Sequence, residues 1–95
     1  MPIVAEDLEQ LRKEIERIDR ALVGLVRERV HVGRLVLRAK EAAGLPVVDA
    51  AQEQAVLERA AVTARAAGLP PEEIGALFTR VVEITRQAEL AASRK

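Results

Sequence analysis

The feature that most constrains this chain is an apolar seam near its start. Leu8, Leu11, Ile15, Ile18, Leu22 and Leu25 follow each other at spacings of three, four, three, four and three residues. This is the a/d pattern of a heptad repeat, which lays one stripe along one face of an α-helix. At 1.5 Å per residue, a helix over residues 5–43 is about 58 Å long. A compact globule of this chain length has a radius of gyration of only about 12 Å. Such a helix overshoots its own domain, and its seam would be wet along much of its length. A second chain is the economical cover, so the pattern predicts an obligate homodimer with long helices packed on each other.

The rest of the chain is punctuated twice. Gly44-Leu45-Pro46 and Gly68-Leu69-Pro70-Pro71 read as helix ends, with Gly suited to the left-handed position after the last turn and Pro unable to continue it. Three helical segments result, about 5–43, 50–67 and 71–92, in a single domain. Asp49 opens the second as an N-cap with Gln52 three residues on, a capping-box variant. Pro71 opens the third, with Glu72 and Glu73 beside the positive end of its dipole. The Val-rich stretches keep a 3–4 spacing and not a period of two, so the fold class is all-α.

Composition removes several kinds of chemistry. Fifteen Lys and Arg balance fifteen Asp and Glu, so no bulk charge draws the chain to nucleic acid or an anionic membrane. Phe78 is the one aromatic residue, too few for base-stacking platforms. With no cysteine and a single histidine, His31, thiolate metal sites, Cys nucleophiles and His-rich metal sites are excluded. The start, Met-Pro-Ile-Val-Ala-Glu-Asp, lacks the basic and apolar regions of a signal peptide, and no apolar run spans a bilayer. The expectation is a soluble, cytoplasmic domain without metal or cofactor.

The seam also has a break. Its heptad continues through Val32, Val36, Ala39 and Ala43, but position 29 is Arg. A guanidinium on a packing seam must meet an anion or bear several kcal/mol of desolvation. Either it snorkels or pairs with a Glu of another helix, or it awaits an anionic ligand such as a carboxylate, which its planar donors suit. Lys40, eleven residues on, projects from nearly the same face. Arg12 flanks the seam about 26 Å before Arg29, too far to share a small ligand within one straight helix. An antiparallel partner chain could bring it there. Lys13, Arg17, Arg20, Arg27, Arg34 and Arg38 are interleaved with Glu and read as solvated faces, as does His31.

In the third segment Thr85 lies on the apolar stripe 74–78–81–85–88, with Glu89 one turn later on the same face. Glu53, in the first turn of the second segment, reads alone as a dipole-favoured surface residue. Together these groups point to non-covalent handling of a small anion.

The ordered set resembles the small all-helical chorismate mutases, over about residues 8–90. The resemblance is carried by Leu11-Arg12, Ile15, Ile18-Asp19, Leu22, Glu28-Arg29 and Ala39-Lys40. It continues through Pro46-Val47, Asp49, Glu53, Leu57-Glu58-Arg59, Leu77-Phe78, Glu83, Thr85 and Glu89. It implies an intertwined dimer of three-helix chains with two active sites, each completed by Arg12 of the other chain. It also implies the rearrangement of chorismate to prephenate in Phe and Tyr biosynthesis, a pericyclic reaction needing no nucleophile, metal or cofactor. Such an enzyme holds a flexible dicarboxylate in its reactive chair and stabilises negative charge growing on the ether oxygen. By resemblance, Arg12 and Arg29 grip the two carboxylates, and Lys40 donates to the ether oxygen and a carboxylate. Glu53 accepts from the ring hydroxyl with Asp49 nearby, and Thr85, where many members have Ser, contacts a carboxylate.

Two positions depart from the family pattern. Gln52 stands where members often carry Arg. Glu89 stands where many have Gln, whose amide donates to the ether oxygen; a carboxyl group can do so only when protonated. Two rival readings use the same residues. One is an isochorismate-pyruvate lyase on this scaffold, and the other a non-catalytic helical dimerisation module in which Arg29 and Lys40 only pair with Glu.

Overall fold

The computed structural model describes residues 5–93, with side chains described for 7–92; the first four residues of the start read above lie outside them. Three helices make up the described residues, with no strand: α1 (Ala5–Ala43), α2 (Ala50–Ala66) and α3 (Pro71–Ser93). None of them is long and apolar enough to cross a membrane.

Glycine ends the first two helices by the same device. Gly44 and Gly68 have φ of 69° and 74°, the left-handed region in which an L side chain is strained. At each, the residue after the glycine bonds back five positions: Leu45 N–H to Lys40 C=O and Leu69 N–H to Ala64 C=O, both at 2.8 Å. The glycine N–H itself bonds to Glu41 or Arg65 C=O. These paired bonds form the Schellman motif and satisfy carbonyls that the helix end leaves open. Asp49 caps α2, its Oδ1 accepting from Gln52 N–H at 3.0 Å.

α3 is the middle helix and packs against both α1 and α2. α2 meets it through Ala60 and Ala64, small residues one turn apart that let the backbones come close, and both are buried. α1 meets it through its C-terminal half, where Leu37 is 2% exposed and Gly33 is buried. The N-terminal half of α1 has no such cover. Every residue from Asp7 to Leu25 is exposed, including all six seam residues. The chain therefore measures 60 × 29 × 15 Å, with a radius of gyration of 17.6 Å against the roughly 12 Å of a compact globule.

Candidate active site

Where the three helices and the α1–α2 loop converge they enclose a cleft of about 310 Å³. Each helix contributes one face at helical spacing. α1 presents Arg29, Val32, Gly33, Val36 and Lys40; α2 presents Gln52, Glu53, Val56 and Arg59; α3 presents Val82, Thr85, Arg86 and Glu89. Val47, Val48 and Asp49 of the loop close one end. The volume suits a small molecule, and the lining combines valines with convergent charged groups.

The seam cation Arg29 is held without a counter-charge. Its Nη1 donates to Thr85 Oγ1 at 2.5 Å, and that hydroxyl donates to Val81 C=O at 3.0 Å. Thr85 is itself buried, at 6% exposure, so the guanidinium is oriented by a neutral, fixed acceptor. Lys40 sits in the last turn of α1, where the Schellman cap folds the loop back over it. Its Nζ donates to Val47 C=O at 3.1 Å. Arg59 lines the cleft with no polar partner among the described residues. Three cations thus face one small cleft with no ion pair among the described residues. Among the described residues no Glu of another helix neutralises Arg29 or Lys40, so intrachain pairing does not account for them.

The acids behave differently from one another. Glu53 is half-buried, and an ion pair to Arg86 crosses from α2 to α3. Asp49 uses its carboxylate on the α2 N-terminus. Glu89 lies against Gly33 of α1: a Cβ built at Gly33 would stand 2.9 Å from Glu89 Oε1 and 2.5 Å from Thr85 Cγ2. Among the described residues Glu89 has no hydrogen bond or ion pair, and its carboxyl borders the cleft.

Of the eight residues singled out from the sequence, seven line the cleft: Arg29, Lys40, Asp49, Gln52, Glu53, Thr85 and Glu89. Arg12 does not. It is exposed on the bare half of α1, about 26 Å along the helix from Arg29. Sequence reasoning missed Gly33 and Arg86, and gave Arg59 no role. The signal for Arg86 was its place on the α3 face with Val82, Thr85 and Glu89, at the spacing that puts residues on one side of a helix. The exposed cations behave as surface groups, Lys13 pairing with Glu9 and Arg17 with Glu14 one turn away.

An all-helical cleft whose Arg and Lys side chains are unpaired among the described residues, with no thiol and one surface histidine, has the chemistry of a class of site that binds a small anion without covalent catalysis. Comparison with known proteins narrows that class. The chain belongs to the chorismate mutase type II family, whose model matches residues 11–90. It is also similar to 4-amino-4-deoxychorismate mutase of Streptomyces venezuelae, at 30% identity over 90 residues, which cover 94% of this chain and 87% of that protein.

Proposed function

We propose that the protein is a chorismate mutase, converting chorismate to prephenate in Phe and Tyr biosynthesis as an intertwined homodimer. The observation that carries this reading is the trio of cations lining one cleft with no ion pair among the described residues, in a member of this family. A dicarboxylate supplies the missing anions. In the assignment we favour, Arg29 takes one carboxylate, with Thr85 fixing the guanidinium and contacting the same group. Lys40 donates to the ether oxygen, where negative charge grows as the bond to carbon breaks, and to a carboxylate. Glu89, which lines the cleft where many family members have Gln, is assigned to the same oxygen. Glu53 accepts from the ring hydroxyl, with Asp49 and Gln52 beside it. Arg12 of the partner subunit grips the second carboxylate, which requires the bare half of α1 to pack on a second chain.

The test is loss of chorismate absorbance on adding purified protein, with product identification. Prephenate is expected. Salicylate plus pyruvate from isochorismate would transfer the site to lyase chemistry, and no turnover of either substrate would leave only a helical dimerisation module. A second mutase reading is favoured by the Streptomyces relative: the same rearrangement on 4-amino-4-deoxychorismate, which carries an amine where chorismate carries its ring hydroxyl. Relative kcat/KM on the two compounds decides between them.

A further inference from the structure

Of the cleft's three acids, only Glu53 has a cationic partner among the described residues. Asp49 is engaged by the α2 N-terminus, and Glu89 lies against Gly33 of α1. The Glu53–Arg86 pair joins residues on different helices, and both side chains line the cleft. They are 33% and 37% exposed and both line the cleft, so the charges are not sealed in the core. Glu53 alone would be a negative wall. A carboxylate forms a stronger hydrogen bond with an ammonium than with a hydroxyl, because the donor is then charged as well. With Arg86 alongside, the pair sums to zero charge and shows a ligand both signs. A neutral hydroxyl donates to Glu53 at no electrostatic cost from Arg86. A protonated amine at the same place meets the guanidinium as a like charge, which is the usual physical means of rejecting a wrong ligand.

We propose that Arg86 is a specificity-determining residue, tuning the site toward substrates with a neutral hydroxyl, and away from those with a cationic amine, at the ring position Glu53 contacts. This rests on the mutase reading above and adds to it a residue and a direction of selectivity. Arg86 acts on the ring substituent beside Glu53 and is not assigned to the reacting atoms.

The experiment measures kcat/KM for chorismate and for 4-amino-4-deoxychorismate in four proteins: wild type, Arg86→Met, Arg86→Lys and the double variant Glu53→Gln/Arg86→Met. Removing the guanidinium should move the ratio toward the amine by on the order of tenfold. Arg86→Lys, which keeps the charge, should hold the ratio near the wild-type value. The double variant restores a neutral wall and should return the ratio toward wild type. A purely structural Arg86 would lower both rates together in Arg86→Met and leave the ratio unchanged, and that result overturns the proposal. Arg86→Gln replaces Arg86→Met if the latter does not fold by circular dichroism. If a folded neutral variant turns over neither compound, the ratio of the two dissociation constants by calorimetry is judged by the same criterion. Failure of the mutase reading shows separately, as no turnover of either compound by the wild type, and takes this proposal with it.

Discussion

Gly33 is a small residue with a large positional demand. A methyl there would come within 2.5 Å of Thr85 Cγ2 and 2.9 Å of Glu89 Oε1. The Glu89 carboxyl ends a flexible side chain and can swing away. Thr85 has less freedom, because it is β-branched and its hydroxyl is engaged by both Val81 C=O and Arg29. Gly33→Ala is therefore expected to cost about 1–3 kcal/mol by overpacking, read as a lower urea midpoint, and to lower kcat/KM by displacing the group that orients Arg29. Thr85→Ser removes the clashing methyl and keeps the hydroxyl. The double variant should be more stable than Gly33→Ala alone, and simple additivity of the two changes would sink this steric account. Glu89 offers a second test. If the group at this position donates to the ether oxygen, Glu89→Gln, whose amide is always a donor, should raise kcat for chorismate. An unchanged kcat in Glu89→Gln removes Glu89 from that role. These residues also mark what the sequence could and could not reveal. Arg29 was legible because a cation on an apolar seam is an anomaly along one helix, and Lys40 because it projects from nearly the same face. Arg86 shares the α3 face of Thr85 and Glu89, but its partner Glu53 and the role of Gly33 emerge only when α3 packs on α2 and α1, and no single-helix pattern contains that packing.

At the scale of elements, α1 is used in two ways along its length. Its C-terminal half packs on α3 and carries Arg29, Gly33 and Lys40, while its N-terminal half exposes Leu8 through Leu25. An uncovered stripe of this kind is the form in which a sequence announces a partner helix, since most helical stability comes from packing an apolar face. The seam and its length were legible from residue spacing alone, as were the two glycine caps. Less legible was the arrangement of neighbours. Ala60 and Ala64 in α2 were the available sign of close approach to α3, but small residues on a helix fit many packings, and the choice of partner helix is made in three dimensions. In the proposed dimer Ile15 and Leu22 lie inside a helix–helix contact. Replacing either with Asp should give a species of half the wild-type mass in sedimentation, with weaker helical circular dichroism. An unchanged mass with Ile15→Asp and with Leu22→Asp would mean that the seam serves some other purpose.

The whole molecule raises the question of where the active site is completed. Within one chain Arg12 and Arg29 are about 26 Å apart along a straight helix, so no ligand of chorismate's size can touch both. If both are needed, each site must draw Arg12 from the other chain, and the two residues can then be separated genetically. Arg12→Ala should inactivate sites through the chain that lends Arg12, and Arg29→Ala through the chain that receives it. Each homodimer is then inactive. A heterodimer of the two variants has one site with both arginines and one with neither. Random exchange of equal amounts makes about half the dimers mixed, each with one of two sites intact, so mixing should recover about a quarter of wild-type activity. Each variant must first be shown to keep the wild-type mass, which separates loss of the arginine from loss of the dimer. Recovery near that level would require Arg12 to act across chains. Two inactive variants of unchanged mass that exchange subunits and recover nothing would place Arg12 outside the site, and the dimer would then owe its existence to the seam alone.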